Sequence, residues 1–401
     1  MVESPQPGQH GVVAARLPRM YLVLAFGAFL VIGGNDAALG VLIPSLRLWY
    51  HIDAVAISWL FLCVAAGYLV ATFNTGLLMT RLGERRFLML GLGLFALGSG
   101  VCSLRPPFLL FLCSGVQLGL GIGSIDAGLN AYIATLPKNA VLLNYLHAFY
   151  GMGALLGPVL ASTLLTLQLD WQATYLVWCL LALLLVGGFW RTYERVPGAS
   201  GEIASATAGS TGLQAVGMRS VWLAACFLLF YTGTEITMGN WGYSFLTLAR
   251  SGSLLLSAWV VSGYWCGLTL GRLLLARLTA RLGAQRMMAL CLAGVVPGLV
   301  LTWVLPFWGA VPGFCLVGFS LGPLYPTTIV FAAQVVAARQ LPGVVGFLSC
   351  LGSIGASLFP WLAGNAFQHL GFWCLPPFAL LLTAGMLGIW SQLARESPGR
   401  V

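Results

Sequence analysis

Apolar residues run through this chain in twelve stretches, each 18 residues or longer, at about 21–46, 54–79, 87–104, 108–136, 141–168, 172–190, 220–248, 253–276, 287–305, 308–337, 343–368 and 372–392. A helix needs roughly 20 such residues to cross a bilayer core of ~30 Å. No water is available there to satisfy peptide groups, so only helices and closed barrels can span it. These stretches are too long, and alternate too little, for barrel strands. Only 7% of the residues are charged, against roughly a quarter in a water-soluble domain, which excludes an ordinary globular fold. The expectation is an all-α membrane protein with 12 transmembrane helices.

Six stretches precede and six follow a polar segment, 191–219, that contains "GASGEIASATAGSTG". Small-residue composition of this kind makes a flexible linker. The expected organisation is an N-terminal bundle (1–190), a cytoplasmic linker (191–219) and a C-terminal bundle (220–401). With both termini in the cytoplasm, 15 of the 19 Lys and Arg residues lie on that side. Only Arg47, Arg105 and Arg250 fall outside, and Arg272 lies within a stretch. This bias sets the orientation and points to a bacterial inner membrane. The first stretch, 21–46, exceeds a signal-peptide core and reads as a retained span. The net charge of +9 is scattered through short loops, which argues against a nucleic-acid surface. Ten cysteines fall singly with no CxxC, so neither a metal site nor a disulfide framework is expected, and no cofactor is implied.

An internal repeat supports the halving. "RLGERRFLMLGL" (81–92) recurs as "RLGAQRMMALCL" (281–292), "DAALG" (36–40) as "EITMG" (235–239), and "GMGALLGP" (151–158) as "SIGASLFP" (353–360). Duplicated halves around a site at the midplane are the architecture of many secondary transporters.

Ionisable residues at membrane depth are expensive and default to function. Four occur here, Asp36, Asp126, Glu235 and Arg272. Asp126 and Asn130 are four apart and share a helix face. Gly119, Gly121, Gly123 and Gly128 keep that helix thin enough for close neighbours. Asn144, His147 and Tyr150 form a second polar stripe. Tyr231 and Glu235 share a third face, with Asn240, Trp241 and Tyr243 beyond. Carboxylates, amides, phenols and an indole suit a hydroxyl-rich, roughly neutral solute. Arg272 lies nine residues before Arg281, within snorkelling reach of the surface, and reads as structural. "GPLYPTT" (322–328) predicts a kinked helix.

"GLLMTRLGERR" (76–86) resembles the loop signature of the major facilitator superfamily, a glycine followed by an Asp-Arg-x-Gly-Arg-Arg-like turn between spans 2 and 3. Thr80 replaces its aspartate and Glu84 its arginine, which alters any gating ion pair there. With twelve spans and the repeat, the resemblance covers essentially the whole chain. It implies that spans 1, 4 and 7 line a central cavity, that Arg81, Gly83, Arg85, Arg281 and Gly283 are gating-loop residues, and that the protein is a monomer. "GIGSIDAGLN" followed by "LNYLHAFYGMGA" is similar to the fucose-permease branch, which comprises sugar:proton symporters. That branch implies Asp126 as the proton-coupling acid, Asp36 as a contributor, and Asn130 and Asn144 as solute ligands. His147 and Tyr150 stand where the branch carries amides, and Asn-Ala replaces its Asn-Pro, so fucose itself is not implied.

The expected function is proton-coupled movement of a small hydrophilic solute such as a sugar, by alternating access, with Asp126, Asp36 and Glu235 carrying the proton. Desolvation favours the neutral form of a carboxylic acid. Such a group takes a proton when open to one side and releases it on the other. The rival on the same fold is proton-driven efflux of drugs or metabolites. Intramembrane enzymes are disfavoured, since neither a protease aspartate pair nor an acyltransferase His-x-x-x-Asp pair is present.

Overall fold

A computed structural model describes residues 19–134, 136, 139–192, 218–337 and 340–396. Residues 193–217 of the expected linker lie outside the described residues. The helices are α1 (Arg19–Tyr50), α2 (Ala54–Leu82), α3 (Glu84–Ser103), α4 (Phe108–Ala134), α5 (Asn139–Thr166), α6 (Gln172–Thr192), α7 (Arg219–Ser244), α8 (Leu254–Leu282), α9 (Ala284–Val304), α10 (Phe307–Leu321), α11 (Leu324–Val335), α12 (Leu341–Leu370) and α13 (Leu375–Glu396). A π-helical turn, Phe245–Ala249, extends α7. Because α10 and α11 share one crossing, the spans number 12, and the described residues contain no strand. Phe73, Leu109, Leu184 and Trp308 stand exposed on the outside, a liability in water and a match to acyl chains.

Helix ends recur at the 200-residue offset. Asp53 caps α2 by accepting from the Ala56 amide at 2.7 Å, and Ser253 caps α8 by accepting from Leu256 at 3.4 Å. Gly83 and Gly283 break α2 from α3 and α8 from α9 with φ of 76° and 80°. Only glycine enters that region without strain. The amide of each glycine donates to the carbonyl four residues back, at 3.0 Å in both cases. The repeat seen in the letters is therefore a repeat in backbone geometry.

At 322–328, where a kink is expected, α10 ends at Leu321 and α11 starts at Leu324, with Gly322 and Pro323 between them in helical dihedrals. Pro326 has no N–H to give the Gly322 carbonyl four residues earlier. That carbonyl accepts instead from Arg272 Nε at 3.2 Å. A proline thus frees the acceptor that anchors an arginine inside the bundle.

The first six spans meet the last six through α1 with α7, α2 with α12 and α5 with α8. At the end distal to the chain termini the seam is tight. The Ala54 amide donates to Gln368 Oε1 at 3.1 Å, and the rings of Trp59 and Trp361 lie 5.6 Å apart. Trp241 fills the seam against Phe61 and Phe367 at 6.0 and 5.2 Å, and its indole N–H donates to the Pro360 carbonyl at 2.9 Å. Gly364 has no room for a side chain: a Cβ there would strike Ser58 and come within 2.9 Å of the Ala54 carbonyl.

Gly364→Leu should hold the distal ends apart. Overpacking costs about 1–3 kcal/mol, or roughly 5- to 150-fold in a conformational equilibrium. Spin labels at Leu48→Cys and Leu370→Cys, both exposed distal positions, should report a longer distance than in the parent. An unchanged distance distribution would rule out this seam as the closing contact.

Candidate functional site

The site lies between the two sets of spans and is assembled from the buried charges outward. Asp126 sits in the second half of α4, half-buried. Its Oδ2 accepts from the Tyr68 hydroxyl of α2 at 2.6 Å, and its Oδ1 accepts from Asn130 Nδ2 at 2.8 Å. The Asn130 amide also donates to the Asp126 carbonyl at 2.9 Å. Tyr68 comes this close because α2 crosses α4 at glycine: a Cβ on Gly123 would lie 2.7 Å from the Tyr68 carbonyl. The shared face of Asp126 and Asn130 and the thin α4 were both legible in the sequence; Tyr68 was not.

Asp36 is built the same way. Tyr150 of α5 donates its hydroxyl to Asp36 Oδ2 at 2.9 Å, and Asn35 Nδ2 donates to Oδ1 at 3.4 Å. Here Gly33 lets α1 and α5 touch, since a Cβ on it would meet the Tyr150 carbonyl. The two acids lie within electrostatic reach of each other. Among the described residues neither forms an ion pair.

Glu235 differs. Arg272 of α8 pairs with its Oε1 at 3.1 Å and also donates to the Tyr231 hydroxyl at 3.3 Å. The Tyr264 hydroxyl donates to the Glu235 carbonyl at 2.9 Å. The expectation of a snorkelling Arg272 is corrected: a carboxylate, a phenol and the carbonyl freed by Pro326 hold it inside the bundle. A charge at membrane depth is retained where such partners exist. The Glu235 side chain is 10% exposed and that of Arg272 38%, so the pair faces an open space on the arginine side.

The Asn144 and His147 stripe is exposed, with Tyr150 half-buried. His147 packs edge-on against Phe29 at 5.6 Å and lies within electrostatic reach of both Asp126 and Arg272. Asn240 and Trp241 are placed differently from the expected solute stripe. Both are buried, Trp241 completely, in the distal seam. The Asn240 amide donates to the Ile236 carbonyl at 3.3 Å, and its Oδ1 is buried without a partner. They sit beyond Glu235, where α7 packs onto α1 and α12 rather than onto a cavity.

At the opposite end, Arg81 and Arg281 are exposed beside Gly83 and Gly283, while Arg85 donates to the Trp190 carbonyl at 2.9 Å. Glu84 is buried and accepts from the Tyr21 hydroxyl, so it ties α3 to α1 within the first six spans. Besides Tyr68, the residues not anticipated from sequence are Tyr264 and Tyr325. Tyr325 lies 6.1 Å from Tyr231, ring to ring, and its hydroxyl bonds Ser349 Oγ at 2.9 Å. Tyrosines within apolar stretches carry no local mark separating a cavity wall from a lipid face.

Residues 24–249 match the sequence model of the Major Facilitator Superfamily. "Bypass of stop codon protein 6" of Saccharomyces cerevisiae is 25% identical over 92% of this chain and 81% of its own length. The Glucose/mannose transporter GlcP of Bacillus subtilis is 21% identical over 91% of this chain and 90% of its own. The E. coli fucose:proton symporter FucP shares the fold, with a TM-score of 0.63, 15% identity, and coverage of 95% of this chain and 99% of FucP.

Arg272→Met should destabilise the protein, because losing one partner strands a buried charge; such losses reach about 3–5 kcal/mol when fully buried and less here, with the arginine partly exposed. The double variant Arg272→Met/Glu235→Gln should recover part of the loss, with a coupling of about 0.5–3 kcal/mol. Thermal unfolding of the purified variants measures both. Strict additivity would show that the pair is not an energetic unit.

Proposed function

The chain belongs to the major facilitator superfamily and is a multi-pass transporter of a small molecule; from that premise we propose that it moves a small hydrophilic solute, foremost a sugar, by proton-coupled alternating access. The observation carrying this reading is the pair of half-buried acids, Asp126 and Asp36, solvated by amides and phenols rather than by cations. An acid paired with arginine is held ionised. An acid facing neutral donors in a low-dielectric cavity is free to exchange a proton.

In this reading the two six-span halves rock about the site. The distal seam, with Trp241 and Asn240 within it, closes one face, while the face nearer the termini admits water to the exposed His147 and Asn144. With the termini in the cytoplasm of a bacterial inner membrane, this is the inward-facing state. Asp126 exchanges the proton, Asp36 shares the field, and the Glu235–Arg272 pair supplies fixed polarity on the other wall. The solute is hydrogen-bonded by Asn130, Asn144, His147 and Tyr150, while Tyr231, fully buried, holds Arg272 from behind. Two named relatives handle hexoses, GlcP glucose and mannose, and FucP fucose, and the mixture of amides, phenols and carboxylates here fits hydroxyl groups. The protein acts as a monomer, and Gly83 and Gly283 let the loops flex as the halves move.

The test is uptake into vesicles under an imposed pH gradient, with a panel of hexoses, pentoses and lipophilic drug cations. Wild type should accumulate a sugar above equilibrium; Asp126→Asn should exchange that sugar without accumulating it. Gradient-driven accumulation by Asp126→Asn at the wild-type level would refute coupling through this acid. Accumulation of drug cations alone would instead establish efflux.

A further inference from the structure

Asp126 and Asp36 share a detail that proton exchange alone does not require. In each, one carboxylate oxygen accepts from an amide and the other from a phenol: Asn130 and Tyr68 at Asp126, Asn35 and Tyr150 at Asp36. The two kinds of donor respond differently to a proton. An amide nitrogen only donates. At Asp126 its orientation is fixed, because the same nitrogen donates to the backbone carbonyl at 2.9 Å and a flipped amide would set oxygen against oxygen. A phenolic oxygen both donates and accepts. A proton on the free lone pair of Oδ1 leaves Asn130 donating as before, whereas a proton placed on Oδ2 along the Tyr68 contact turns that phenol from donor to acceptor.

Resting on the proton coupling put forward above, we propose that Tyr68 reports the protonation of Asp126 to the cavity: its O–H points at Oδ2 while the acid is ionised, and turns away to become a free donor facing the solute space once the acid is protonated. Tyr150 stands in the same relation to Asp36. The proton comes from cavity water, bonds to Oδ2 and is then donated to the Tyr68 oxygen. The phenol keeps its own proton, which swings about the C–O bond, and no other bond is made or broken. The freed O–H is then matched by an acceptor oxygen of a hydroxylated solute. Proton and solute would thus bind together, through one rotating hydroxyl.

The surroundings of Asp126 are consistent with such a switch. Tyr68 from α2 and Asn130 from α4 bond it, and Asp36 from α1, His147 and Tyr150 from α5, and Tyr325 from α11 lie within electrostatic reach. Arg272 is engaged by Glu235 on the far wall. Glu235 has a phenol beside it too, Tyr231, but its other partner is the Arg272 guanidinium, whose charge keeps the acid ionised. The switch belongs to the first six spans alone.

Infrared difference spectroscopy on the purified full chain in lipid nanodiscs tests this without any solute. Acidification should raise a carboxylic C=O band that is absent in Asp126→Asn. In the same titration the C–O–H band of tyrosine, identified in wild type by ring-deuterated tyrosine, should shift. Tyr68→Phe should remove part of that shift and move the C=O band to higher frequency, and Tyr68→Phe/Tyr150→Phe should remove all of it but the share of the Tyr21–Glu84 pair, which Tyr21→Phe identifies. A tyrosine band that stays constant while Asp126 titrates would overturn the switch and leave proton coupling standing, as would a shift in the double variant as large as that of wild type. Absence of an Asp126 carboxylic band would defeat the coupling itself and the switch with it.

Discussion

A charge placed where water cannot follow must bring its own solvation, and the interior of this protein is organised by that requirement. Three acids and one arginine sit at membrane depth, and each is met by groups from helices distant in sequence. Two solutions appear. Glu235 is neutralised by Arg272, an arrangement fixed in charge. Asp126 and Asp36 are solvated by neutral donors, an arrangement that tolerates gain or loss of a proton. The difference divides the two walls of the site into one whose acid meets a cation and one whose acids meet only neutral donors.

Close helix approach makes these contacts possible. Phenols reach the acids because Gly123 and Gly33 bring a neighbouring backbone to where a Cβ would stand. The same device, at Gly364, seals the distal seam. In lipid the hydrophobic effect does not press helices together, so small residues and packing supply the association. The glycines thus govern both where the charges are solvated and which face is shut.

The repeat is preserved where it serves the backbone and abandoned where it serves charge. Gly83 and Gly283 keep one conformation, and Asp53 and Ser253 keep one capping role. Asp36 and Glu235 correspond as acids, yet one faces a phenol and the other a guanidinium. The carbonyl that completes the arginine's setting exists because Pro326 interrupts the tenth span. A loop residue diverged too: Glu84 anchors α3 to Tyr21 inside the first half, where its counterpart is Ala284.

The letters alone determined the twelve spans, the repeat, an irregular span 10 and the candidate acids, because each is a local property: length of an apolar run, spacing of similar segments, a missing N–H, a charge where none is cheap. The tertiary structure decided the partners. Nothing near Arg272 in the chain marks Glu235, 37 residues earlier, as its counter-ion, and nothing near Tyr68 distinguishes it from a lipid-facing ring. Trp241 and Asn240 followed the polar pattern of α7 but rotated into the seam, since facing direction depends on which helices pack alongside. Periodicity says which residues share a face; only the packed neighbours say what that face meets.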